Sequence, residues 1–198
     1  MENFEVERAE DPIALFAAWL TDAEASEPND ANAAALGTAT VDGAPSVRMV
    51  LVKRVDARGF AFFTNAESRK GVELAANPRA AMCFHWKSLR RQVRVEGVVS
   101  ELPGADSDAY FRTRSRMSQL SAVASQQSRV LGSREELEAR VHEIGVQYPN
   151  EVPRPSYWKG YVLRPERMEF WLQGIGRMHD RFLFVRAGDD WTRQRLFP

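Results

Sequence analysis

Two tight turns constrain the first half of the chain. The stretch "AALGTATV–DGAP–SVRMVLVKRV–DARG–FAFFTN" covers residues 34–65 and contains three strand-like runs, each separated from the next by a short Gly-containing turn. A turn of a few residues can only return a strand antiparallel, because a parallel return needs a crossover of a dozen residues or more. Two further runs, "RAAMCFHW" and "RRQVRVEGVVSEL", extend the pattern. In the second, Gln92, Arg94 and Glu96 share a face opposite Val93 and Val95, as in a half-buried strand. Short strands linked in this way predict an antiparallel sheet closed into a barrel.

Helices interrupt this framework. Asp11 is placed to cap a helix that starts at Pro12 and runs over about 11–27, with Ile13, Phe16 and Leu20 at helical spacing until "EPNDAN" breaks it. "AESRKGVELAANP" reads as a short helix ended by Asn77-Pro78. Residues 104–147 read as helical, and within them Ser133 and Glu136 form a capping box. "PNEVPRPSYW" is an ordered loop, and strands return in "YWKGYVLRP", "RMEFWLQG", "DRFLFVRAG" and "WTRQRLF", about 157–198. The expected fold class is mainly β with helices (α+β). No second-domain boundary is visible, so residues 1–198 are expected to form one domain that needs its last strands to close.

Composition narrows the function classes. An apolar fraction of 44% over 198 residues is enough for a full core. Lys+Arg and Asp+Glu are both 27, giving a net charge of +0. No global field therefore draws the chain to nucleic acid or an anionic membrane, and any anion must be held by a local site. The one cysteine, Cys83, rules out an intrachain disulfide and reads as a plain buried thiol, which suits a reduced, cytoplasmic compartment. The acidic start "MENFEVERAEDP" lacks the apolar region of a secretory signal, and no apolar run approaches the roughly 20 residues of a membrane span. The three histidines, His85, His142 and His179, show no metal-ligand spacing, and no metal is expected.

Cationic side chains recur at the starts of elements: Arg48, Lys53, Arg69, Lys70, Arg114, Arg177 and Arg181. Three arrangements stand out. In "SVRMVLVKR", Arg48 and Lys53 bracket an apolar run but have opposite strand parity, so either a bulge intervenes or they meet different groups. In "YFRTRSRMS", a continuous helix would put Tyr110, Arg114 and Ser118 on one face. That stripe is either an ordinary polar face or a cradle for phosphate, with the guanidinium supplying charge-assisted bonds. In "GRMHDRF", read as a strand, Arg177, His179 and Arg181 share a side that is either simply wet or awaits an anion. There is no glycine-rich phosphate loop, since "GTATVDG" lacks both the P-loop and the dinucleotide fingerprint.

The ordered motifs "RMVLVKR", "FFTNAESRKG", "WKSLRRQVRVEG", "YFRTRSRMSQLSAVASQQS", "VPRPSYWKGY" and "MEFW…RMHDRF…RLFP" resemble the pyridoxamine 5′-phosphate oxidase family, FMN enzymes of the split-barrel flavoprotein class. The resemblance runs from about Asp11 to Pro198. It implies an antiparallel split β-barrel that forms a homodimer with FMN at the subunit interface. Carried over by motif, Arg48, Met49, Val50, Leu51, Val52 and Lys53 would run along the FMN. Phe63, Thr64, Arg69 and Lys70 would hold its phosphate and ribityl chain, and Gln92 would hydrogen-bond the flavin. Gln127, Ser128, Trp171 and Arg181 would reach it from the partner subunit. Lys53, Tyr110, Arg114 and Ser118 would bind the phosphate of the substrate, pyridoxamine or pyridoxine 5′-phosphate. Arg177 and His179 would lie over its pyridine ring as the catalytic pair, with Arg177 mainly orienting. The implied reaction uses dioxygen and yields pyridoxal 5′-phosphate and hydrogen peroxide, in vitamin B6 metabolism.

The sequence departs from the family pattern in three places. Family members often carry a basic, aromatic segment ahead of the first helix, whereas here ten residues precede Asp11. Met178 stands where Leu is usual, and "WLQGIG" displaces the usual Gln-Gly by one, next to Arg177. Two rival readings remain: a flavin oxidase of the same fold, of the phenazine-biosynthesis type, and, from a different class, a non-catalytic flavin or pyridoxal-phosphate binding protein.

Overall fold

The computed structural model describes residues 3–198. Helix α1 (Asn3–Arg8) is followed by α2 (Pro12–Ser26), β1 (Ala33–Ala39), β2 (Pro45–Asp56), β3 (Gly59–Asn65) and α3 (Arg69–Ala76). Strands β4 (Arg79–Trp86) and β5 (Arg91–Glu101) precede α4 (Gly104–Thr113), α5 (Arg116–Ala124) and α6 (Arg134–Gln147). Three strands complete the chain: β6 (Trp158–Leu172), β7 (Asp180–Ala187) and β8 (Asp190–Leu196). The sheet order is β3-β2-β1-β4-β5-β6-β7-β8, and an added β3–β6 pairing closes the first six strands into an antiparallel barrel. Strands β7 and β8 continue outward from β6, so the expected split barrel is the fold observed.

Local signals account for most of these elements. The Asp11 carboxylate accepts from the Ile13 N–H at 2.8 Å, and Pro12 occupies the first helical position of α2. Phe16 and Trp19 of α2 are fully buried in the barrel core, with Phe16 4.8 Å from both Phe60 and Phe84. Burial of each such side chain stabilises by roughly 2–3 kcal/mol. The Ser133 half of the capping box at α6 forms, Ser133 accepting from the Glu136 N–H, while the Glu136 carboxylate accepts from the N–H of Gly132, one residue before the cap. On β5 the burial alternates as the valines require.

The structure corrects four expectations. "YWKGYVLRP" and "RMEFWLQG" are one strand, β6, with a register shift beside Pro165 where β5 passes from Glu96 to Gly97; the missing N–H of proline suits such a bulge. "GRMHDRF" is not one strand. Residues Ile175–Arg177 form a 3₁₀ turn and β7 starts at Asp180, so Arg177, with φ +66°, does not share a strand face with Arg181. The helical region 104–147 breaks at Arg114 and again after Ala124. Cys83 is half-buried rather than buried, and desolvation raises its thiol pKa.

Candidate functional site

The barrel opens because β2 outruns its pairing with β3. Residues 45–51 pair with β1 on one edge, whereas β3 pairs with β2 only from Val52 to Asp56. A bulge at Lys53, just before the last paired residue Val52, flips the alternation: Arg48, Val50 and Val52 lean inward, Lys53 and Arg54 are exposed, and Val55 turns in again. An edge strand freed in this way presents residues of both parities. Beside it lies a cleft of about 790 Å³ lined by Ser46–Leu51, Lys53, Phe63, Thr64, Arg69, Lys70, Tyr110, Arg114, Ser115, Ser118, Gln127, Ser128 and Trp158. That volume is in the range of small-molecule sites.

At one end of the cleft, the start of α3 brings two cations together. Gly71 lets α3 approach the end of β3, since a Cβ there would stand 2.2 Å from the Ala66 carbonyl oxygen. The Lys70 side chain is buried, and its Nζ donates to Thr64 Oγ1 (3.1 Å), Ser68 Oγ (3.0 Å) and Gln127 Oε1 (3.1 Å), all neutral. Burial, and then the nearby Arg48 charge, lower its pKa to about 8, against a smaller opposing pull from Glu73. Ser68 spends its hydroxyl on Asn65 and Lys70, so no side chain caps α3. A buried cation without a carboxylate at an uncapped helix start suits a phosphate.

Arg48 is tied down instead. Its guanidinium donates to the Leu36 carbonyl (3.1 Å), to Thr38 Oγ1 (2.6 Å), to Ser46 Oγ and to the Glu73 carboxylate (3.4 Å). Burial would push the Glu73 carboxyl up, but hydrogen bonds from Ser46, Thr38 and Arg69 outweigh it and hold the pKa at about 2. Val52 points into the core and contributes no side chain to the cleft.

Stacked rings form the other wall. Phe63 stacks on Tyr110 (4.2 Å) and Trp158 (5.4 Å), and Phe111 meets Trp158 edge-on. Arg114 lies over Trp158 at 5.0 Å, and its buried Nη1 has no hydrogen-bond partner among the described residues. Burial lowers the Arg114 pKa and raises that of Tyr110. Arg114 ends α4 with extended backbone (ψ 148°), and Ser115 caps α5 by accepting from Ser118 N–H. The one-face helical stripe is therefore not what unites Tyr110, Arg114 and Ser118. A corner between two helices turns all three into the same cleft.

A second cluster lies outside this cleft. Gln92, Trp171 and Arg181 are cross-strand neighbours on β5, β6 and β7. Arg181 donates to both oxygens of Glu169 (2.8 and 3.1 Å), which raises the arginine pKa, and Arg94 reaches the same carboxylate at 3.2 Å. His179 packs on Trp171 at 4.6 Å, and its Nδ1 accepts from the Gly174 N–H at 3.1 Å. A neutral ring so held carries its proton on Nε2, which is then a donor. A Cβ at Gly174 would sit 1.7 Å from the Met178 carbonyl oxygen, so this turn requires glycine. Arg177 is exposed on it.

Of the residues expected from sequence, Arg48–Leu51, Lys53, Phe63, Thr64, Arg69, Lys70, Tyr110, Arg114, Ser118, Gln127 and Ser128 converge on one cleft. Gln127 and Ser128 belong to the cleft of their own chain rather than reaching in from a partner, because the loop after α5 carries Gln127 onto Lys70. Gln92, Trp171, Arg177, His179 and Arg181 do not line it. Sequence reasoning missed Ser46, Ser115, Trp158 and the buried Glu73. The i,i+4 spacing of Arg69 and Glu73 was the available signal for the last.

Comparison with known proteins bears on this geometry. The family model described as pyridoxamine 5′-phosphate oxidase matches residues 20–148, and that described as the pyridoxine 5′-phosphate oxidase C-terminal dimerisation region matches residues 158–198. A pyridoxine/pyridoxamine 5′-phosphate oxidase of Anaeromyxobacter dehalogenans is 60% identical over 191 residues, 96% of each chain. One of Gluconobacter oxydans is 56% identical over 189 residues, covering 95% of this chain and 94% of that one. Among solved structures, PhzG from Burkholderia lata, in complex with tetrahydrophenazine-1-carboxylic acid, superposes with a TM-score of 0.93 at 33% identity, covering 100% of this chain and 97% of that one. A pyridoxamine 5′-phosphate oxidase-related, FMN-binding protein from Nostoc punctiforme shares the fold, with a TM-score of 0.77 at 15% identity, over 96% of this chain and 100% of that one.

Proposed function

This chain belongs to the pyridoxamine 5′-phosphate oxidase family and is an oxidoreductase of that kind; from that premise we propose that it oxidises pyridoxamine and pyridoxine 5′-phosphate to pyridoxal 5′-phosphate, with FMN as its flavin and dioxygen as the final acceptor. One observation carries the reading. A single cleft holds two buried cationic groups, Lys70 Nζ and Arg114 Nη1, that no carboxylate among the described residues neutralises. Two phosphorylated molecules, one kept and one turned over, satisfy both.

Lys70, Arg69, Thr64, Gln127 and Ser128 would hold the FMN phosphate and ribityl chain, with Phe63 and the free edge of β2 from Arg48 to Lys53 alongside. Bound FMN supplies a hydride acceptor that dioxygen reoxidises. Arg114, Tyr110, Ser118 and Lys53 would grip the substrate phosphate, so that binding energy remote from the reacting carbon fixes its position. Arg177 and His179 would address the pyridine ring, with Arg177 orienting it and His179 donating from Nε2. With the amine, substrate, O₂ and water give aldehyde, NH₃ and H₂O₂; with the alcohol, substrate and O₂ give aldehyde and H₂O₂.

Gln92, Trp171, Arg177, His179 and Arg181 would complete the cleft of a second copy, making the homodimer the working unit. The match of residues 158–198 to a dimerisation region supports this. So does the outer face of β2, where Val47 and Met49 stand 70% and 62% exposed, an apolar stripe suited to a partner.

The test is direct. Purified protein should be yellow, pyridoxamine 5′-phosphate should bleach it without oxygen, and in air one peroxide should form per aldehyde. A flavin that stays oxidised under anaerobic substrate overturns the reading. The PhzG likeness favours a second reading, a same-fold oxidase of the phenazine-biosynthesis type. Bleaching by a non-phosphorylated phenazine precursor, but not by the phosphate ester, would establish it. The grouping of Arg114, Tyr110, Ser118 and Lys53 weighs against it.

A further inference from the structure

Glu73 touches none of the roles assigned above, yet it is the most heavily hydrogen-bonded carboxylate beside the cleft. It is 4% exposed. Its Oε1 accepts from Arg69 Nε at 2.8 Å, and its Oε2 accepts from Thr38 Oγ1 (2.5 Å), Ser46 Oγ (2.5 Å) and Arg48 Nη2 (3.4 Å). These donors come from β1, β2 and α3. The stretch of β2 involved, residues 45–51, has lost β3 as a neighbour. The Glu73 carboxylate therefore ties the free edge of the split barrel to the helix that carries Arg69 and Lys70.

We infer that Glu73 is a positioning residue for the cofactor phosphate: it fixes the guanidinium groups of Arg48 and Arg69 beside Lys70 and sets the charge of that end of the cleft to match a phosphate dianion. The inference rests on the reading of the cleft as an FMN site. Arg48, Arg69 and Lys70 contribute three positive charges and Glu73 one negative charge, leaving a net of two. A phosphomonoester carries about −1.5 to −2 at neutral pH, so the sum closes near zero. Without the carboxylate, three like charges would crowd the end of the cleft. Arg69, largely exposed, would lose its hold on α3 and would have to be ordered each time the anion bound. The hydroxyls of Thr38 and Ser46 keep the carboxylate ionised despite its burial, as its depressed pKa shows.

The experiment compares FMN with riboflavin, which has the same ring and no phosphate, by quenching of flavin fluorescence on full-length protein stripped of flavin. Glu73→Ala removes both acceptors and should weaken FMN binding about ten-fold or more while leaving riboflavin within about two-fold. Glu73→Gln keeps one acceptor oxygen and should lie between Glu73→Ala and wild type, with the loss again confined to FMN. If the alanine variant does not fold, the FMN-to-riboflavin ratio of the glutamine variant decides. Equal losses for both flavins, the mark of a merely structural role, would overturn the inference, as would an unchanged FMN affinity. Wild-type protein that binds no FMN would sink the functional reading itself, whereas wild type that binds FMN beside variants with an unaltered ratio would sink only the role of Glu73.

Discussion

The cleft wall and the face formed by β5, β6 and β7 are both rich in arginine and lysine, and they neutralise those charges in opposite ways. On the strand face, Arg181 and Arg94 share the nearly buried Glu169. In the cleft, among the described residues, Lys70 meets only neutral oxygens and the buried Nη1 of Arg114 meets none. Burying a charge costs several kcal/mol unless it is paired. A fold that leaves such cations without carboxylates holds them for an anion from outside, whereas one that pairs them is building a rigid wall. Glu73 stands between the two cases, pairing Arg48 and Arg69 while Lys70 keeps only the neutral oxygens of Thr64, Ser68 and Gln127 among the described residues.

The contrast can be broken most sharply at Lys70. Lys70→Met should cost about a hundred-fold in FMN affinity, yet leave the flavin-free protein as stable or more stable, because it removes a buried charge that has no counter-ion. Thermal melts with and without FMN would show both signs, and a flavin-free variant that melts well below wild type would contradict the comparison. Glu169→Ala should do the reverse. It takes the carboxylate from Arg181 and one of two carboxylates from Arg94, which keeps Glu96 at 2.7 Å, and should lower stability by about 1–2 kcal/mol, measurable in urea.

Arg114→Ala divides the cleft itself. It should weaken phosphate-ester binding about ten-fold or more while FMN affinity stays within about two-fold. Equal losses would mean that the two cations serve one ligand. The smallest expected effect is on pH. Lys70 titrates near 8 in the folded protein against an ordinary 10.5. Below about pH 8 it is charged whether folded or unfolded, so its burial penalty is fully present there and fades as pH rises toward 10.5. On the proposed reading the same deprotonation would remove a charge that draws phosphate. FMN binding should therefore weaken between pH 8 and 9, by at most about ten-fold, while riboflavin binding does not. A flat FMN profile would release Lys70 from the phosphate.

Much of this was legible beforehand. The turns expected at 42–45 and 56–59, the first of which forms over 40–44 in the structure, the Asp11 and Ser133 caps and the alternation of β5 are short-range signals, and each formed. The paired motifs "FFTN" and "SRK" led to Thr64 and Lys70, which meet at 3.1 Å. The stripe of Tyr110, Arg114 and Ser118 held the right residues for the wrong local reason, since the helix breaks at Arg114. The basic alternation in "GRMHDRF" was misread as a strand because the positive φ of Gly176 and Arg177 is invisible to parity.

What the sequence determined by itself, then, was a set of strands and capped helices, together with clusters of cationic residues that either face water or await an anion, because turn chemistry, capping and alternation act over a few residues. What only the tertiary structure decided was their meeting. The bulge at Lys53 opens the barrel, Gln127 reaches Lys70 across 57 residues, and Glu73 reaches Arg48 across 25. Such contacts depend on how the sheet closes on itself. Closure is settled by the packing of the whole core, and no local stretch of the chain encodes it alone.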